Sequence, residues 1–364
     1  MSARAIFFII LMFRIAELSA SGDTLNIIFA GDVMQHTPQM RSARTTNGSY
    51  NYAECFKHIK NEISSADIAI ANLELTLAGP PYSGYPRFSA PDEIAIALRD
   101  AGFNILVTAN NHSCDRNGNG IKRTLDVLDS LNITHTGSFR NRKELETTYP
   151  LIIKKNNFKL AVLNYTYGTN GIPIPPPYVV NTIDPATIVA DIKKAKKSNP
   201  DFIIAFMHWG TEYSRTPNEE QRKLADLMCA NDVNIIIGSH PHVIQPIEKR
   251  YSPDGKCIKL IAYSLGNFMS NQSNQDTDGG MMLKVSLIKD NLCGIKIAKA
   301  QYGLVWMHKP VQEDRRAYHI LPAAEYQDKT AFMSIDENQK LNKFIDSSRK
   351  LLNKGNIGVC EFVF

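Results

Sequence analysis

The 364-residue sequence predicts an α/β fold, and three features of its pattern support this. Before Pro246, short apolar runs rich in β-branched residues alternate with segments of helical spacing. After Pro246 the apolar runs come in pairs separated by turn residues. Alternating strands and helices are typical of a partly parallel sheet, whereas paired strands are typical of antiparallel hairpins. We therefore expect one layered domain whose mixed-sheet core is completed by C-terminal β-hairpins.

The individual elements follow from apolar periodicity and from turn residues. The alternating part has predicted strands at 25–30, 67–71, 104–109, 133–137, 202–206 and 233–237, and a hairpin over 151–167 that turns at Asn156-Asn157. Helical spacing occurs at 52–64, 92–101, 117–132, 185–198 and 219–230. Later strands are predicted at 247–250, 258–263, 281–288 and 294–298, with a turn at 252–255 and a polar helix at 336–352. The Pro-rich stretches 79–91 and 173–177 are predicted loops.

Composition excludes some partners. The chain is 43% hydrophobic and 21% charged, and its net charge of +5 is spread without a long basic run. This pattern does not suggest nucleic acid as a partner. The six cysteines are scattered and form no C-x-x-C pair, so we expect them to be mostly free or structural.

The first 22 residues resemble a secretory signal peptide. A short basic segment, Met1 to Arg4, precedes nine apolar residues from Ala5 to Phe13, and small residues follow at 20–22. We expect an exported protein, periplasmic or at the cell surface; an uncleaved N-terminal segment that retains it is the alternative. The remaining chain divides into a domain over 23–310 and a C-terminal extension over 311–364, whose helix is expected to pack on the domain.

Polar side chains able to bind metal follow five separate strand-like runs. They are Asp32, Glu74, Asn111 with His112, His208, and His240 with His242. Because the carboxyl ends of parallel strands share one edge of a sheet, these residues are expected to converge. Carboxylate, amide and imidazole groups bind Mn²⁺, Fe or Zn²⁺, and we expect one or two such ions. With two ions, Asp32 is the expected bridging ligand because it leaves the central first strand, and His112 is the expected general acid.

Six motifs, in order, resemble the CapA family of poly-gamma-glutamate capsule biosynthesis proteins, within the calcineurin-like metallophosphoesterase superfamily. The motifs are Gly31-Asp32-Val33-Met34, Asn72-Leu73-Glu74, Ala109 to Gly118, His208-Trp209-Gly210-Thr211-Glu212-Tyr213, Gly238-Ser239-His240-Pro241-His242 and Tyr263 to Phe268. They extend over most of the chain, and six together are specific where one would be weak.

The resemblance implies a four-layer α/β/β/α sandwich of the metallophosphoesterase type. It also implies the roles of the site residues. Metal ligation falls to Asp32, Glu74, Asn111, His208, His240 and His242, catalysis to His112 and Asp32, and substrate binding to Asn72, Asn110, Glu212, Tyr213 and Asn267. One departure stands out: Met34 occupies a position where the superfamily usually has a metal-binding histidine, and nearby His36 is expected to be solvated.

Three functions remain open from the sequence. The first is a capsule biosynthesis protein with a metal-dependent hydrolase site for a phosphoester or a gamma-glutamyl amide. The second is a non-catalytic component of capsule assembly or export that binds an anionic polymer in the same cleft. The third is a phosphatase unrelated to capsule. The expected partners are an anionic polymer or a phosphorylated small substrate, together with the capsule synthesis and export machinery.

Overall fold

The computed structural model describes residues 23–253, 255, 257–290, 294–312, 315–329, 331–355 and 358–364. The predicted signal peptide and part of the predicted turn at 252–255 lie outside these residues. None of the described helices is long and apolar enough to cross a membrane.

The described part of the chain contains helices and strands along its whole length. The helices are α1 (Thr37–Ala43), α2 (Ala53–Phe56), α3 (Lys60–Ser64), α4 (Glu93–Ala101), α5 (Asn117–Ser130), α6 (Arg142–Thr148), α7 (Pro185–Lys196), α8 (Glu219–Ala230), α9 (Ala323–Tyr326) and α10 (Ile335–Gly355). The strands are β1 (Asp23–Val33), β2 (Ile68–Leu73), β3 (Ile105–Val107), β4 (Thr134–Thr136), β5 (Ser138–Phe139), β6 (Leu151–Lys155), β7 (Phe158–Thr166), β8 (Val179–Val180), β9 (Phe202–His208), β10 (Ile235–Ser239), β11 (Ile247–Tyr251), β12 (Cys257–Ala262), β13 (Asn267–Met269), β14 (Gly279–Asp290), β15 (Gly294–His308), β16 (Val311–Gln312), β17 (Arg315–Arg316), β18 (His319–Pro322) and β19 (Cys360–Glu361).

Two large mixed sheets form the centre of the protein. The first has the order β18-β15-β14-β1-β2-β3-β4, with β13 beside β1 and β19 beside β15. The second has the order β11-β12-β10-β9-β7-β6. Strands β1 to β4 run parallel to one another, as do β7, β9, β10 and β12. The predicted mixed α/β architecture is therefore confirmed.

The sheets pack face to face with helices on their outer faces. Successive side chains of β1 point to opposite faces of the first sheet. Leu25, Ile27 and Phe29 lie in the core between the two sheets. Ile28 lies on the other face, in the apolar cluster between the first sheet and α4. The outer face of the second sheet is covered in the same way by α7 and α8, through residues such as Ile192 and Leu224. These four layers agree with the expected α/β/β/α sandwich.

The last part of the chain joins both the first sheet and the inter-sheet core. Strand β18 pairs antiparallel with β15, and β19 pairs parallel with the same strand. Helix α10 places Leu341, Phe344 and Ile345 in the core between the sheets. Residues beyond 310 thus bury apolar surface that would otherwise face water.

Two predictions about elements were wrong, and two short helices were missed. The helix expected at 52–64 is two short helices, α2 and α3. The backbone N–H of Ile59 donates to the Phe56 carbonyl, and this tighter turn interrupts the helix. The buried apolar residues of the segment nevertheless keep helical spacing, and the sequence therefore predicted a single helix. Helices α1 and α6 were missed because both are short, and α6 buries no side chain. The strands after Pro246 are not all antiparallel: β12 follows β11 in a hairpin but inserts beside β10, and so runs parallel to it.

Candidate metal centre

The strand ends that carry the predicted ligands meet at one edge of the two sheets. Strands β1 and β2 end there in the first sheet, and β9 and β10 end there in the second. The backbone N–H of His240 donates to Asp32 Oδ2 at 3.1 Å, which joins the sheets directly. The predicted convergence of residues more than 200 positions apart is thus present in the structure.

Two glycines allow this close approach. A Cβ atom added at Gly31 would lie 2.0 Å from the Gly266 carbonyl oxygen, and one added at Gly238 would lie 1.8 Å from the Tyr263 carbonyl oxygen. Real Cβ atoms do not approach backbone oxygens so closely, so these backbones must separate to admit any side chain. Glycine is therefore required at both strand ends for steric reasons.

Gly238→Ala is expected to lower the free energy of unfolding by about 3 kcal/mol, because the new methyl group forces β10 away from the Tyr263 backbone. Gly168→Ala is the matched control, since an added Cβ at Gly168 has no neighbour within 4 Å among the described residues. Denaturant unfolding of both variants measures the difference. Equal stability of the two variants would contradict the packing argument.

Asp32 is fully buried and hydrogen-bonded at both oxygens. Asn72 Nδ2 donates to its Oδ1 at 2.8 Å, and His242 Nδ1 lies 3.2 Å from its Oδ2, which also accepts from the His240 backbone. Burial alone would raise the pKa of Asp32, but the hydrogen bonds from His242, Asn72 and His240 outweigh it, and the pKa is lowered. Asp32 is accordingly ionised at neutral pH.

The His242 ring is held in one tautomer. Its Nδ1 faces two acceptor oxygens, Asp32 Oδ2 and, at 3.1 Å, Asn267 Oδ1. The Asn267 amide nitrogen is already engaged with Gln272 and Thr277, which identifies Oδ1 as the atom beside the ring. Nδ1 therefore carries the hydrogen, and Nε2 keeps a free lone pair. Metal-binding histidines usually donate their other ring N–H to a carboxylate or a carbonyl oxygen, as His242 does here.

Glu74 is buried with no hydrogen bond to either carboxylate oxygen from any described residue. Its Oε1 lies 3.7 Å from His208 Nε2 and 3.8 Å from His242 Nε2. Burial first, and then the negative charge of Asp32, raise the pKa of Glu74 well above its ordinary value. A buried carboxylate without hydrogen bonds costs several kcal/mol unless a cation compensates it.

His208 and Asn111 point at the same place as Glu74. His208 Nε2 lies 2.9 Å from Asn111 Oδ1, while its Nδ1 lies 3.1 Å from Ser239 Oγ. Burial, and then the nearby His240, lower the pKa of His208 well below its ordinary value, so the ring is neutral. Two ligand atoms on one ion are roughly 3 to 3.5 Å apart when the bonds are about 2.1 Å long. The separation of 2.9 Å lies just below that range, and those of 3.7 and 3.8 Å from Glu74 lie just above it.

His240 completes the cluster in a strained backbone conformation. Its φ is 94° and that of His242 is 58°, both in the left-handed region that non-glycine residues rarely adopt. Each costs about 1 to 3 kcal/mol and persists only when the surroundings impose it. Burial, and then the charge of His242, lower the pKa of His240 to about 3, and its Nδ1 has no partner among the described residues.

These side chains form two overlapping groups suited to a metal ion. One contains Glu74, His240 and His242, and the other contains Asp32, Glu74 and His208; within each, the ligand atoms lie within 4.8 Å of one another. Glu74 belongs to both groups, whereas Asp32, predicted to bridge two ions, belongs to one. The unpartnered Glu74 oxygens, the imidazole nitrogens and the Asn111 oxygen all fit a divalent cation.

His112 lies beside this cluster and is oriented by a carboxylate to which the sequence analysis gave no role. Its Nδ1 is 2.8 Å from Asp115 Oδ2, and both side chains are almost completely buried. Asp115 Oδ2 also accepts from the backbone of Phe88 at 2.7 Å, and the Phe88 ring centroid lies 4.5 Å from the imidazole. The hydrogen on Nδ1 faces the carboxylate, which leaves Nε2 for proton transfer.

Asn72 and Asn110, predicted to bind substrate, are completely buried. Asn110 Nδ2 donates to the Leu73 carbonyl at 2.8 Å and to Asn72 Oδ1 at 3.3 Å. Asn72 Nδ2 in turn reaches Asp32 and, at 3.2 Å, His208 Nδ1. Their amides thus hold Asp32 and His208 in position through hydrogen bonds. Their role in substrate binding stays a prediction.

The other predicted substrate residues lie nearer the surface. Tyr213 is 50% exposed, has a φ of 64°, and its ring centroid is 6.1 Å from that of His242. Glu212 beside it is exposed, whereas Asn267 is buried behind His242. Glu212 and Tyr213 therefore lie where a substrate could reach them, and their binding role stays a prediction.

Met34 is buried, and His36 lies differently from expectation. The Met34 side chain is 2% exposed and packs in the apolar core with residues such as Phe268. The prediction that it replaces a metal-binding histidine stays a prediction. His36 is not solvated: its Nδ1 is 3.3 Å from both Gln39 Oε1 and the Asn271 backbone nitrogen. Its burial lowers the pKa of His36 to about 4.

Tyr167 is a site residue that the sequence analysis missed. Its ring, 48% exposed, covers two of the imidazoles: the centroid is 4.4 Å from that of His240 and 6.1 Å from that of His208. Its hydroxyl donates to Asn170 Oδ1 at 3.3 Å, and the same oxygen accepts from Asn111 Nδ2 at 3.3 Å. Tyr167 directly follows β7, a parallel neighbour of β9, so the strand-end rule could have found it.

Comparison with known proteins adds family information. The family model described as bacterial capsule synthesis protein PGA_cap matches residues 26–272. The capsule biosynthesis protein CapA of Bacillus anthracis is 27% identical over 280 residues, which are 74% of this chain and 65% of that protein. The chain thus covers less than two thirds of that relative. The PGA biosynthesis protein CapA of Bacillus subtilis (strain 168) is 26% identical over 351 residues, 92% of this chain and 86% of that protein.

Two solved structures align with most of this chain at low sequence identity. The calcineurin-like phosphoesterase YfkN of Bacillus subtilis has a TM-score of 0.47 and 12% identity, covering 88% of this chain and 99% of that one. The NAD nucleotidase NadN of Haemophilus influenzae has a TM-score of 0.46 and 13% identity, covering 90% of this chain and 60% of that one.

Proposed function

The chain belongs to the bacterial capsule synthesis protein family, and on that basis we propose that it is an extracytoplasmic, metal-dependent hydrolase of capsule biosynthesis. Fold and family alone do not establish a reaction, since function depends on the site. The proposal therefore rests on the side chains at the edge of the two sheets. The predicted N-terminal signal peptide agrees with a place of action outside the cytoplasm.

The observation that carries the proposal is the unpartnered carboxylate of Glu74. It is buried, it faces two imidazole Nε2 atoms, and no described residue offers it a hydrogen bond. A structural carboxylate in such a position would normally be paired, because its isolation costs stability. Isolation beside imidazole nitrogens is what a metal centre requires instead.

We assign the metal positions from the two overlapping groups. Glu74, His240 and His242 would hold one ion, and Asp32, Glu74 and His208 would hold another, with Asn111 beside His208. Glu74 is the better candidate for a shared ligand than Asp32, because both Asp32 oxygens already accept hydrogen bonds. The mixed oxygen and nitrogen ligands suit Mn²⁺, Fe or Zn²⁺.

The remaining residues supply orientation and proton transfer. When bound, a divalent cation supplies Lewis-acid polarisation of a phosphoryl or carbonyl oxygen. His112, held through Nδ1 by Asp115, presents Nε2 and gives a proton to the departing oxygen or nitrogen of the substrate. Asp32 and Asn267 keep the His242 tautomer that leaves its Nε2 free for the cation.

The proposed substrates are a phosphoester or a gamma-glutamyl amide of the capsule polymer. Both present an oxygen that a cation can polarise, and both reactions end with a proton on the leaving group, as His112 can provide. One of the two CapA relatives is described as a PGA biosynthesis protein, which supports the polymer amide. The polymer or a phosphorylated precursor would be the anionic partner at the cleft.

Hydrolysis of a generic aryl phosphate tests the reaction class. We expect turnover that a chelator abolishes and that added Mn²⁺ or Zn²⁺ restores. A parallel assay follows the release of glutamate from poly-gamma-glutamate under the same conditions. Tight binding of the polymer without turnover in either assay would contradict the hydrolase and favour a non-catalytic assembly component. Turnover of aryl phosphate without any affinity for the polymer would favour a phosphatase unrelated to capsule.

Tyr167→Ala is expected to weaken metal binding by about tenfold, because it uncovers two imidazoles and removes the link through Asn170 to Asn111. Tyr167→Phe keeps the ring, and its metal affinity is expected to stay within about threefold of wild type. Titration with Zn²⁺ in the presence of a competing indicator measures both. Equal affinities for all three proteins would show that Tyr167 does not support the centre.

A further inference from the structure

The loop between β9 and α8 covers one side of the metal centre. It comprises residues 209–218 and carries the predicted substrate residues Glu212 and Tyr213, and we call it the Tyr213 loop. The Tyr213 ring is 50% exposed, and its centroid lies 6.1 Å from that of His242. Where this ring lies relative to the cleft depends on what holds the loop.

The backbone of Tyr213 has a strained conformation that its surroundings impose. Its φ of 64° lies in the left-handed region, which a non-glycine residue keeps only when neighbouring structure holds it there. The backbone N–H of Tyr213 donates to the Pro241 carbonyl at 2.8 Å. The Ser214 carbonyl accepts from Gln245 Nε2 at 2.8 Å. Both bonds attach the Tyr213 loop to the residues that follow β10.

Arg215 attaches the loop at a third point, two residues after Tyr213. Its Nη1 donates to Ser347 Oγ, and its Nη2 donates to the Ser347 carbonyl at 3.3 Å, both on α10. Nη1 also lies 3.0 Å from Asp276 Oδ2 in an ion pair whose side chains are only 21% and 9% exposed. A planar guanidinium binds several acceptors at once in fixed directions, so this contact restrains the loop more tightly than a single hydrogen bond would.

Both partners of Arg215 lie in the last quarter of the chain. Asp276 and Ser347 come after residue 272, where the match to the capsule synthesis family model ends. Helix α10 is itself fixed, because residues such as Leu341 and Phe344 are buried in the core between the two sheets. Arg215 therefore joins the Tyr213 loop to a helix that is packed into the body of the protein.

From these contacts we propose that Arg215 is a positioning residue, which holds Tyr213 beside His242 by anchoring the Tyr213 loop to α10 and Asp276. Both Nη atoms of Arg215 are engaged with protein groups, so its effect on a substrate passes through Tyr213. The effect on substrate binding rests on the proposed function, whereas the effect on the loop does not. The C-terminal extension thereby takes part in substrate binding as well as in stability.

Limited proteolysis with chymotrypsin measures how firmly the loop is held, independently of turnover. The bond after Tyr213 can be cut only when the loop opens, because the Tyr213 N–H and the Ser214 carbonyl are hydrogen-bonded. We expect Arg215→Ala to be cut there about tenfold faster than wild type, and Ser347→Ala about threefold faster, since it keeps the acidic partner. Cleavage after Tyr167, which is 48% exposed, is the internal reference and should be unchanged.

Steady-state kinetics on the substrate that wild type turns over measure the effect on binding. Arg215→Ala is expected to raise KM about tenfold while kcat and metal content stay within about threefold of wild type, because Tyr213 contacts substrate away from the reacting atoms. In a Tyr213→Ala background the same substitution should have no further effect on KM, since Arg215 acts through that ring. Arg215→Lys keeps the charge but loses the planar fork, so its KM should lie between those of wild type and Arg215→Ala.

Arg250→Ala is the control, because Arg250 also pairs with two carboxylates, those of Asp226 and Glu248, but lies on β11. It should behave like wild type in both assays. Wild-type rates of cleavage after Tyr213 in the Arg215→Ala protein would overturn the proposal, as would additive effects on KM in the double variant. If wild type turns over neither substrate, the proposed function fails, and the proteolysis still decides whether Arg215 holds the loop.

Discussion

Glu74→Gln is expected to stabilise the metal-free protein while it abolishes the stabilisation that metal provides. In the metal-free state the carboxyl group is buried and no described residue donates a hydrogen bond to it. Burial, the charge of Asp32 and a hydrogen-bond contact with Asp32 raise its pKa well above the ordinary value of 4.5. Above that ordinary value the unfolded chain ionises at this position while the folded chain does not, which favours unfolding. Glutamine removes this cost of about 2 kcal/mol at neutral pH.

Denaturant unfolding in the presence of a chelator, repeated from pH 4.5 to pH 7.5, measures this difference. The advantage of Glu74→Gln should be absent near pH 4.5 and grow as the pH rises, because that is where the wild-type carboxyl cost appears. With metal at a hundred times its Kd, wild type should gain about 2.7 kcal/mol and the variant much less. Glu220→Gln on exposed α8 is the control and should match wild type throughout. A variant that is less stable than wild type without metal would refute the assignment of Glu74.

His112→Gln is expected to lower turnover about 10²- to 10⁴-fold while it leaves the metal content unchanged. The imidazole is held by Asp115 through Nδ1, and glutamine cannot exchange a proton at the position of Nε2. Steady-state kinetics on the aryl phosphate, together with metal analysis of the same preparation, measures both quantities.

Asp115→Asn leaves the His112 imidazole in place but changes the group that orients it, so it tests the effect of ring orientation on turnover. It keeps the shape of the side chain but weakens the hold on Nδ1, so we expect a smaller loss of turnover than in His112→Gln. If His112→Gln retains wild-type turnover with full metal content, proton transfer does not depend on this residue.

Much of the fold could be predicted because buried residues recur along the sequence with the period of the strand or helix that carries them. Strand β1 alternates between two apolar cores, and its apolar run was therefore visible in the sequence. The hairpin at Asn156 and Asn157 was predicted for a similar reason, and both residues have the positive φ that such a turn needs. The insertion of β12 beside β10 was not predictable, since pairing partners are chosen by tertiary packing.

The site was predictable where strand direction determines position. The carboxyl ends of parallel strands share an edge, so Asp32, Glu74 and His208 could be placed together from sequence. The division of roles could not be predicted, because it depends on distances of a few tenths of an ångström. The hydrogen bonds that occupy Asp32 and leave Glu74 unpartnered among the described residues are visible only in the folded structure.

Metal analysis of the purified full-length protein tests most directly whether Glu74 is the shared ligand of a metal centre. The protein is stripped with a chelator, equilibrated with Mn²⁺, Fe²⁺ or Zn²⁺, freed of excess metal and measured by elemental analysis. We predict one or two ions per chain for wild type and a marked loss of bound metal in Glu74→Gln. Wild-type protein that retains no stoichiometric metal after equilibration with any of the three ions would contradict the account.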